Sequence, residues 1–274
     1  MADTRLWDGG AADNNIATAA NWSADTAPIT GDSAGFPALD AAAALDVDGA
    51  DFSAAALVDF IVEDNCFVNF GSRLTALKLD CDYFEFSGDG KYAYFDVINC
   101  AELRILGGGS AASGHSFGVS LLGSTNTLLI VDALAVTLGI AAGVGQSATF
   151  TTIQHLAGAT TLGDAVTCTN FIMSGGTVVN STELSGTLSM YDGYFTQVRN
   201  NPATLTVRGG RCYYNSTDAP TTCNLYDGVL DLSKDGRAKT FATLNWYGGQ
   251  IYDPRNILTV TTLNRYKGGT LTVN

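Results

Sequence analysis

Histidine is nearly absent from this chain, and positive charge is scarce. Two histidines, His115 and His155, stand among 274 residues, and 14 Lys and Arg face 27 Asp and Glu, a formal net charge of −13. So acidic a surface repels phosphate, which argues against nucleic acid or anionic lipid as a partner. The six cysteines, Cys66, Cys81, Cys100, Cys168, Cys212 and Cys223, form no C-x-x-C pair, so zinc and dithiol motifs are excluded. Buried, reduced thiols are expected instead. No apolar run reaches the roughly 18 residues of a membrane-spanning helix. The start, Met1-Ala2-Asp3-Thr4-Arg5-Leu6-Trp7, lacks the apolar core of a secretory signal. The expectation is a chain made in a cytoplasm, soluble and free of membrane. G-x-S-x-G, H-E-x-x-H, P-loop and dinucleotide fingerprints are missing, and no cofactor is implied. Only 5 prolines occur.

Glycine, by contrast, is abundant at 31, and in the C-terminal half it keeps time. Gly158, Gly176, Gly193, Gly210, Gly228, Gly249 and Gly269 lie 17 to 21 residues apart by their numbers. Five before the mark stand Ile153, Phe171, Leu188, Leu205, Cys223 and Leu244. Three before stand Met173, Met190, Val207, Leu225, Trp246 and Tyr266; two after stand Val178, Phe195, Cys212, Leu230, Ile251 and Leu271. Thr, Ser, Asn and Asp alternate with these columns, the period-two pattern of a strand with one face buried. A strand that returns at this short interval with the same face inward is a rung of a solenoid. Four residues separate the second and third columns, so strict alternation would put them on opposite faces. A bend at the glycine lets both point inward, and glycine accepts the backbone that bend needs.

The leucine-rich frame is missing, and the uneven spacing breaks the multiple of six that a hexapeptide coil requires. A right-handed parallel β-helix tolerates turns of variable length, and this all-β class is the predicted fold. Residues 37–274 are read as the β-helix and residues 1–36 as an N-terminal cap, one structural domain overall. In residues 37–150 alternation persists with a poorer register, as in Leu77-Lys78-Leu79-Asp80-Cys81 and Tyr83-Phe84-Glu85-Phe86. Gly107–Gly109 through Gly114 reads as a loop. Only the Ala-rich stretches Ala41–Ala44 and Ala54–Ala56 hint at helix.

Candidate chemistry is thin. His115 falls in a loop and His155 in a strand column. Asp192 and Asp227 share the column one before the glycine, with Arg208 in the rung between. Two rungs place these carboxylates roughly 10 Å apart, at or beyond the edge of the inverting-glycosidase range of about 6.5–9.5 Å. Asp80, Asp82 and Glu85 lie along one strand and alternate faces. Tyrosine crowds the C-terminal half. Tyr191, Tyr226 and Tyr247 share the column two before the mark, which faces outward; they are the candidate contact surface for protein or sugar. Cross-strand stacking that stabilises the fold is the other reading of the same column.

The opening carries one family signal. Trp7-Asp8-Gly9, Asn14-Asn15, Ala20-Asn21-Trp22-Ser23, Pro28 and Gly31-Asp32-Ser33-Ala34-Gly35-Phe36 stand in that order within the first 36 residues. This W-x-G…NN…A-N-W-S…P…G-D-x-A-x-F run resembles the cap before the repeats of β-helical bacteriophage structural proteins and of autotransporter-passenger-type surface proteins. The resemblance implies a non-enzymatic virion protein, a capsid decoration (cement) protein on the outer capsid surface. Its partners would be the major capsid protein or other virion proteins, its assembly a homotrimer and its location the virion. A tail-fibre or spike component and a bacterial surface adhesin are the alternatives. A β-helical glycan hydrolase or lyase is the enzymatic one, and it requires clustered carboxylates on one exposed face.

Overall fold

The computed structural model describes residues 3–272 except 12, 39–45, 48–50, 73–74, 91, 108–115, 123–124, 141–147, 164–165, 182, 200–201, 217 and 267. Within it the chain is an all-β parallel solenoid with 3% helix. Ala54–Ala56 are not helical; they lie in the strand Asp51–Val62. Ala41–Ala44, His115 and most of the predicted Gly107–Gly114 loop fall outside the described residues. Close contacts divide the chain into residues 1–149 and residues 150–274.

In the first unit a ladder of parallel strands runs through Ala34, Phe60, Phe84, Leu103 and Leu129, which are 26, 24, 19 and 26 residues apart by their numbers. The uneven rung lengths are why the sequence shows alternation here without a fixed period. The interior is rich in phenylalanine. Phe60 and Phe84 stack at 5.6 Å, and Phe70 and Phe95 approach at 5.2 Å. Residues 1–36 enter the same ladder: Thr4–Leu6 pairs with Ser33–Gly35, and Ala34–Phe36 pairs with Phe60–Val62. Trp7 and Trp22 meet edge to face at 5.3 Å, and both pack on Phe36. The Trp22 indole N–H donates to the Ile16 carbonyl at 2.7 Å, which satisfies its polar edge inside an apolar cluster.

The second unit repeats as its glycines predict. One parallel ladder carries the column Phe171, Leu188, Leu205, Cys223 and Leu244, and a second carries Val178, Phe195, Cys212, Leu230 and Ile251. All ten side chains are buried. Between the ladders the chain turns at glycines with φ between 68° and 90°, Gly158 to Gly249. Gly210 shows why nothing larger fits: a Cβ there would lie 2.3 Å from the Gly193 carbonyl oxygen. Left-handed backbone and backbone-on-backbone contact both demand glycine.

The last rung departs from the expected register. The left-handed residue is Gly268, not Gly269. Tyr266, expected inward, is therefore 61% exposed, and Arg265 pairs with Trp246 in its place. Leu271, also expected inward, pairs with Ile251 but is 52% exposed. Among the described residues no further strand covers it.

The longest interval, between Gly228 and Gly249, holds a side loop, residues 233–238. Asp235 and Lys239 form a buried ion pair at 2.9 Å at its base. The Lys239 ammonium also donates to the Ser216 carbonyl of the preceding rung, and Arg237 donates to Asp235 at 2.9 Å. Each buried charge thus meets several hydrogen-bonding partners, the condition for tolerating it there.

Candidate functional site: the outward tyrosine stripe

On the wet side of the first ladder of residues 150–274, the column two before each glycine stands free of the core. Tyr191 is 51% exposed and Tyr226 37% exposed. The rings of Tyr226 and Tyr247 lie 4.4 Å apart and 2° from parallel; Tyr247 and Tyr266 repeat the geometry at 4.4 Å and 6°. Strand register imposes this spacing, because adjacent rungs lie about 4.8 Å apart. Arg208 completes the stack. Its guanidinium sits 4.4 Å from the Tyr226 ring centroid and 5.8 Å from that of Tyr191, a cation held over two aromatic rings. Crowding by its neighbours raises the Tyr247 phenol above its ordinary range, by desolvation and then by the adjacent Tyr266 and Tyr226.

All three predicted residues, Tyr191, Tyr226 and Tyr247, therefore share one outward stripe. The stripe has two further members. Tyr266, which the glycine spacing predicts inward, joins it because the last bend comes one residue early. Arg208, which the sequence offers beside the candidate carboxylates, stands two before Gly210 and so falls in this column. Beside the stripe runs a row of amides. Asn245 donates to the Asn224 side-chain oxygen at 2.8 Å, and Asn264 donates to that of Asn245 at 2.9 Å. Asn224 donates in turn to the Thr206 hydroxyl at 3.3 Å. Each amide that donates to the preceding rung stiffens the face.

The candidate acid pair is differently employed. Asp192 accepts from the Gly193 N–H and Asp227 from the Gly228 N–H, both at 2.7 Å. Each carboxylate braces the glycine bend that follows it. Asp192 also edges a shallow depression of about 330 Å³ with Tyr194 and Arg211, where it is the one carboxylate. His155 is buried in the inward column, with Nδ1 3.0 Å from the Gly175 carbonyl oxygen.

A second cluster of charged groups, which spacing does not reveal, lies on residues 1–149. Glu85 accepts from the Tyr83 hydroxyl, Arg104 pairs with Glu102 at 2.6 Å, and the Arg104 guanidinium lies 5.6 Å from the Tyr83 ring centroid. Burial, then the bond to Glu85, pushes the Tyr83 phenol up to about 12. Glu102 and Tyr83 occupy paired positions on adjacent rungs, as do Arg104 and Glu85. The four side chains satisfy one another, which is how opposite charges pair across a sheet. Asp80 points to a different partner, the Asn99 amide at 3.2 Å.

All six cysteines are free and buried. Burial pushes the Cys66 thiol up to about 11 and those of Cys168 and Cys212 up to about 12. Thiols so disfavoured as thiolates are poor nucleophiles. Among the described residues no group of three or more His, Cys, Asp or Glu is arranged to hold a metal ion, and no helix is long and apolar enough to cross a membrane. Comparison of the chain with family models, curated proteins and solved structures finds no match.

Proposed function

We propose that this protein is a non-enzymatic structural component of a bacteriophage virion, a decoration protein bound to the outer capsid surface. The observation that carries the reading is the stripe. Tyr191, Arg208, Tyr226, Tyr247 and Tyr266 are exposed or half-exposed, yet stacked in register on a rigid ladder. Such a surface is preorganised for contact, because little side-chain freedom remains to be lost on binding. Asp192 and Asp227 stand two rungs apart, roughly 10 Å, at or beyond the edge of the inverting-glycosidase range of about 6.5–9.5 Å, which supports a passive role over hydrolysis. The W-x-G…A-N-W-S…G-D-x-A-x-F opening adds the virion setting by resemblance, and the major capsid protein is the partner that setting proposes.

The test uses the purified full chain. It is expected to add to capsids that lack it and to sediment with them. It is expected to release no reducing ends or unsaturated sugars from a polysaccharide panel. Release of sugar that the double change Asp192→Asn, Asp227→Asn abolishes, with melting unaltered, would replace this reading with the glycosidase one.

A further inference from the structure

The stripe and the amide row belong to a wider face. Two residues before the amide row, the strand register aligns Thr187, Thr204, Thr222, Thr243 and Thr262 on five successive rungs. Threonine, amide and tyrosine rows therefore run side by side, each repeating at about 4.8 Å along the stack and separated by about 6.7 Å across it. Thr187, Thr262 and Asn264 are exposed, and Thr204, Thr222 and Thr243 are half-buried with their faces outward.

Three properties restrict what such a face can hold. The first is charge. On a chain of net charge −13 these three rows contain a single ionisable charge at neutral pH, Arg208. A charged ligand would find no complementary field here, so the ligand is neutral. The second is repetition. Hydroxyl, amide and phenol groups recur without change of register, and each offers donors and acceptors together. A ligand that uses several rungs at once must itself be extended and repeat hydrogen-bonding groups. The third is size. Four steps of about 4.8 Å by two of about 6.7 Å make roughly 250 Å², about a third of the ~800 Å² per partner of a standard protein interface. That area is enough for a slender chain, whereas a folded partner would have to use surface beyond these rows as well. The ring faces of Tyr226 and Tyr247 are covered by their neighbours in the stack, so the stripe presents ring edges and hydroxyls. We infer that this face binds a neutral, extended polysaccharide, its hydroxyls bridging the threonine and tyrosine rows across the amides. The inference rests on the reading of the stripe as a contact surface, and it supplies that surface with a ligand class.

Retention of the full-length protein in gels containing a neutral β-glucan, a neutral mannan or acidic polygalacturonate tests it. Retardation by at least one neutral polymer and none by polygalacturonate is expected. The triple change Thr204→Val, Thr222→Val, Thr243→Val keeps side-chain shape and removes three hydroxyls. The double change Tyr226→Phe, Tyr247→Phe keeps the stack and removes two more. Each is expected to weaken retention at least tenfold with melting unchanged. On the unaltered protein, bound polymer is expected to shield the exposed Tyr266 from iodination, a readout that holds even if a variant melts early. Retention by polygalacturonate alone, by no polymer, or equally by wild type and variants overturns the inference, as does equal iodination with and without polymer. Capsid addition is scored separately on the wild-type protein. A protein that adds to capsids but ignores every neutral polymer leaves the virion reading and removes this one; the reverse outcome does the opposite.

Discussion

Asp235 shows how much a single residue carries where the core is interrupted. Its carboxyl is 7% exposed, its partner Lys239 is fully buried, and they meet at 2.9 Å. Burial opposes ionisation, but hydrogen bonds from Arg237 and Lys239 win and hold the Asp235 carboxyl far below the usual carboxylate range. A group depressed in the folded state stabilises above its unfolded value, about 3.9. That stability is lost as pH falls below this value toward the lower folded one. The Asp235→Asn variant is expected to lose on the order of 3 kcal/mol at pH 7, because Lys239 would stay buried without its counter-charge. Its denaturant midpoint should then change less than wild type between about pH 4 and 2. Denaturant melts across that range check both points; parallel acid limbs would show that Asp235 is not the group responsible. Nothing in the order Ser233-Lys234-Asp235-Gly236-Arg237-Ala238-Lys239 announces this pair. The long interval between Gly228 and Gly249 marks an insertion, but only folding shows that it turns a lysine inward.

The stripe is a property of strands in register, and no strand carries it alone. Aromatic pairs contribute about 0.5–1.5 kcal/mol beyond buried area, and Tyr247 stacks on both sides. Replacing it with Ala is therefore expected to cost about 1–3 kcal/mol. The Tyr247→Phe variant, which keeps both stacks, should lose clearly less. Urea unfolding distinguishes them, and equal midpoints for the two variants would reduce the stack to a coincidence of register. Much of this element was legible. A fixed offset from each glycine places Tyr191, Tyr226 and Tyr247 in one outward column, and period-two alternation names the inward columns from Phe171 to Leu244. Tyr266 was illegible because a shift of the left-handed residue from Gly269 to Gly268 leaves the sequence pattern unchanged. Glycine accepts positive φ at either position.

For the molecule as a whole, self-association is the expectation, one that the resemblance to β-helical virion proteins implies. Tyr191 and Tyr266 are 51% and 61% exposed on the stripe, and an exposed aromatic face invites contact. Closed rotational symmetry covers such surfaces without runaway filaments. We expect a trimer, the state the resemblance to β-helical virion proteins implies, and light scattering at several protein concentrations measures it. A mass equal to one chain at every concentration removes the trimer. Because the net charge of −13 repels like copies, association should strengthen with added salt.

From the amino-acid order alone came the class of fold, the three inward columns of residues 150–274 and the outward tyrosines. Each follows from a local rule: alternation specifies a strand, and a glycine that recurs every 17 to 21 residues specifies a bend in a repeating rung. The tertiary structure alone decided which charges pair. Glu102 and Arg104 lie two apart in sequence, but Tyr83 and Glu85 join them from the preceding rung, at a register set by rungs of unequal length. It also decided that Asp192 and Asp227 brace their glycines, that Arg208 belongs between tyrosines, and that threonine, amide and tyrosine rows form one face. Those outcomes depend on the alignment of each rung against the next. A one-residue slip turns every side chain to the other face, and only the packed core chooses between the two.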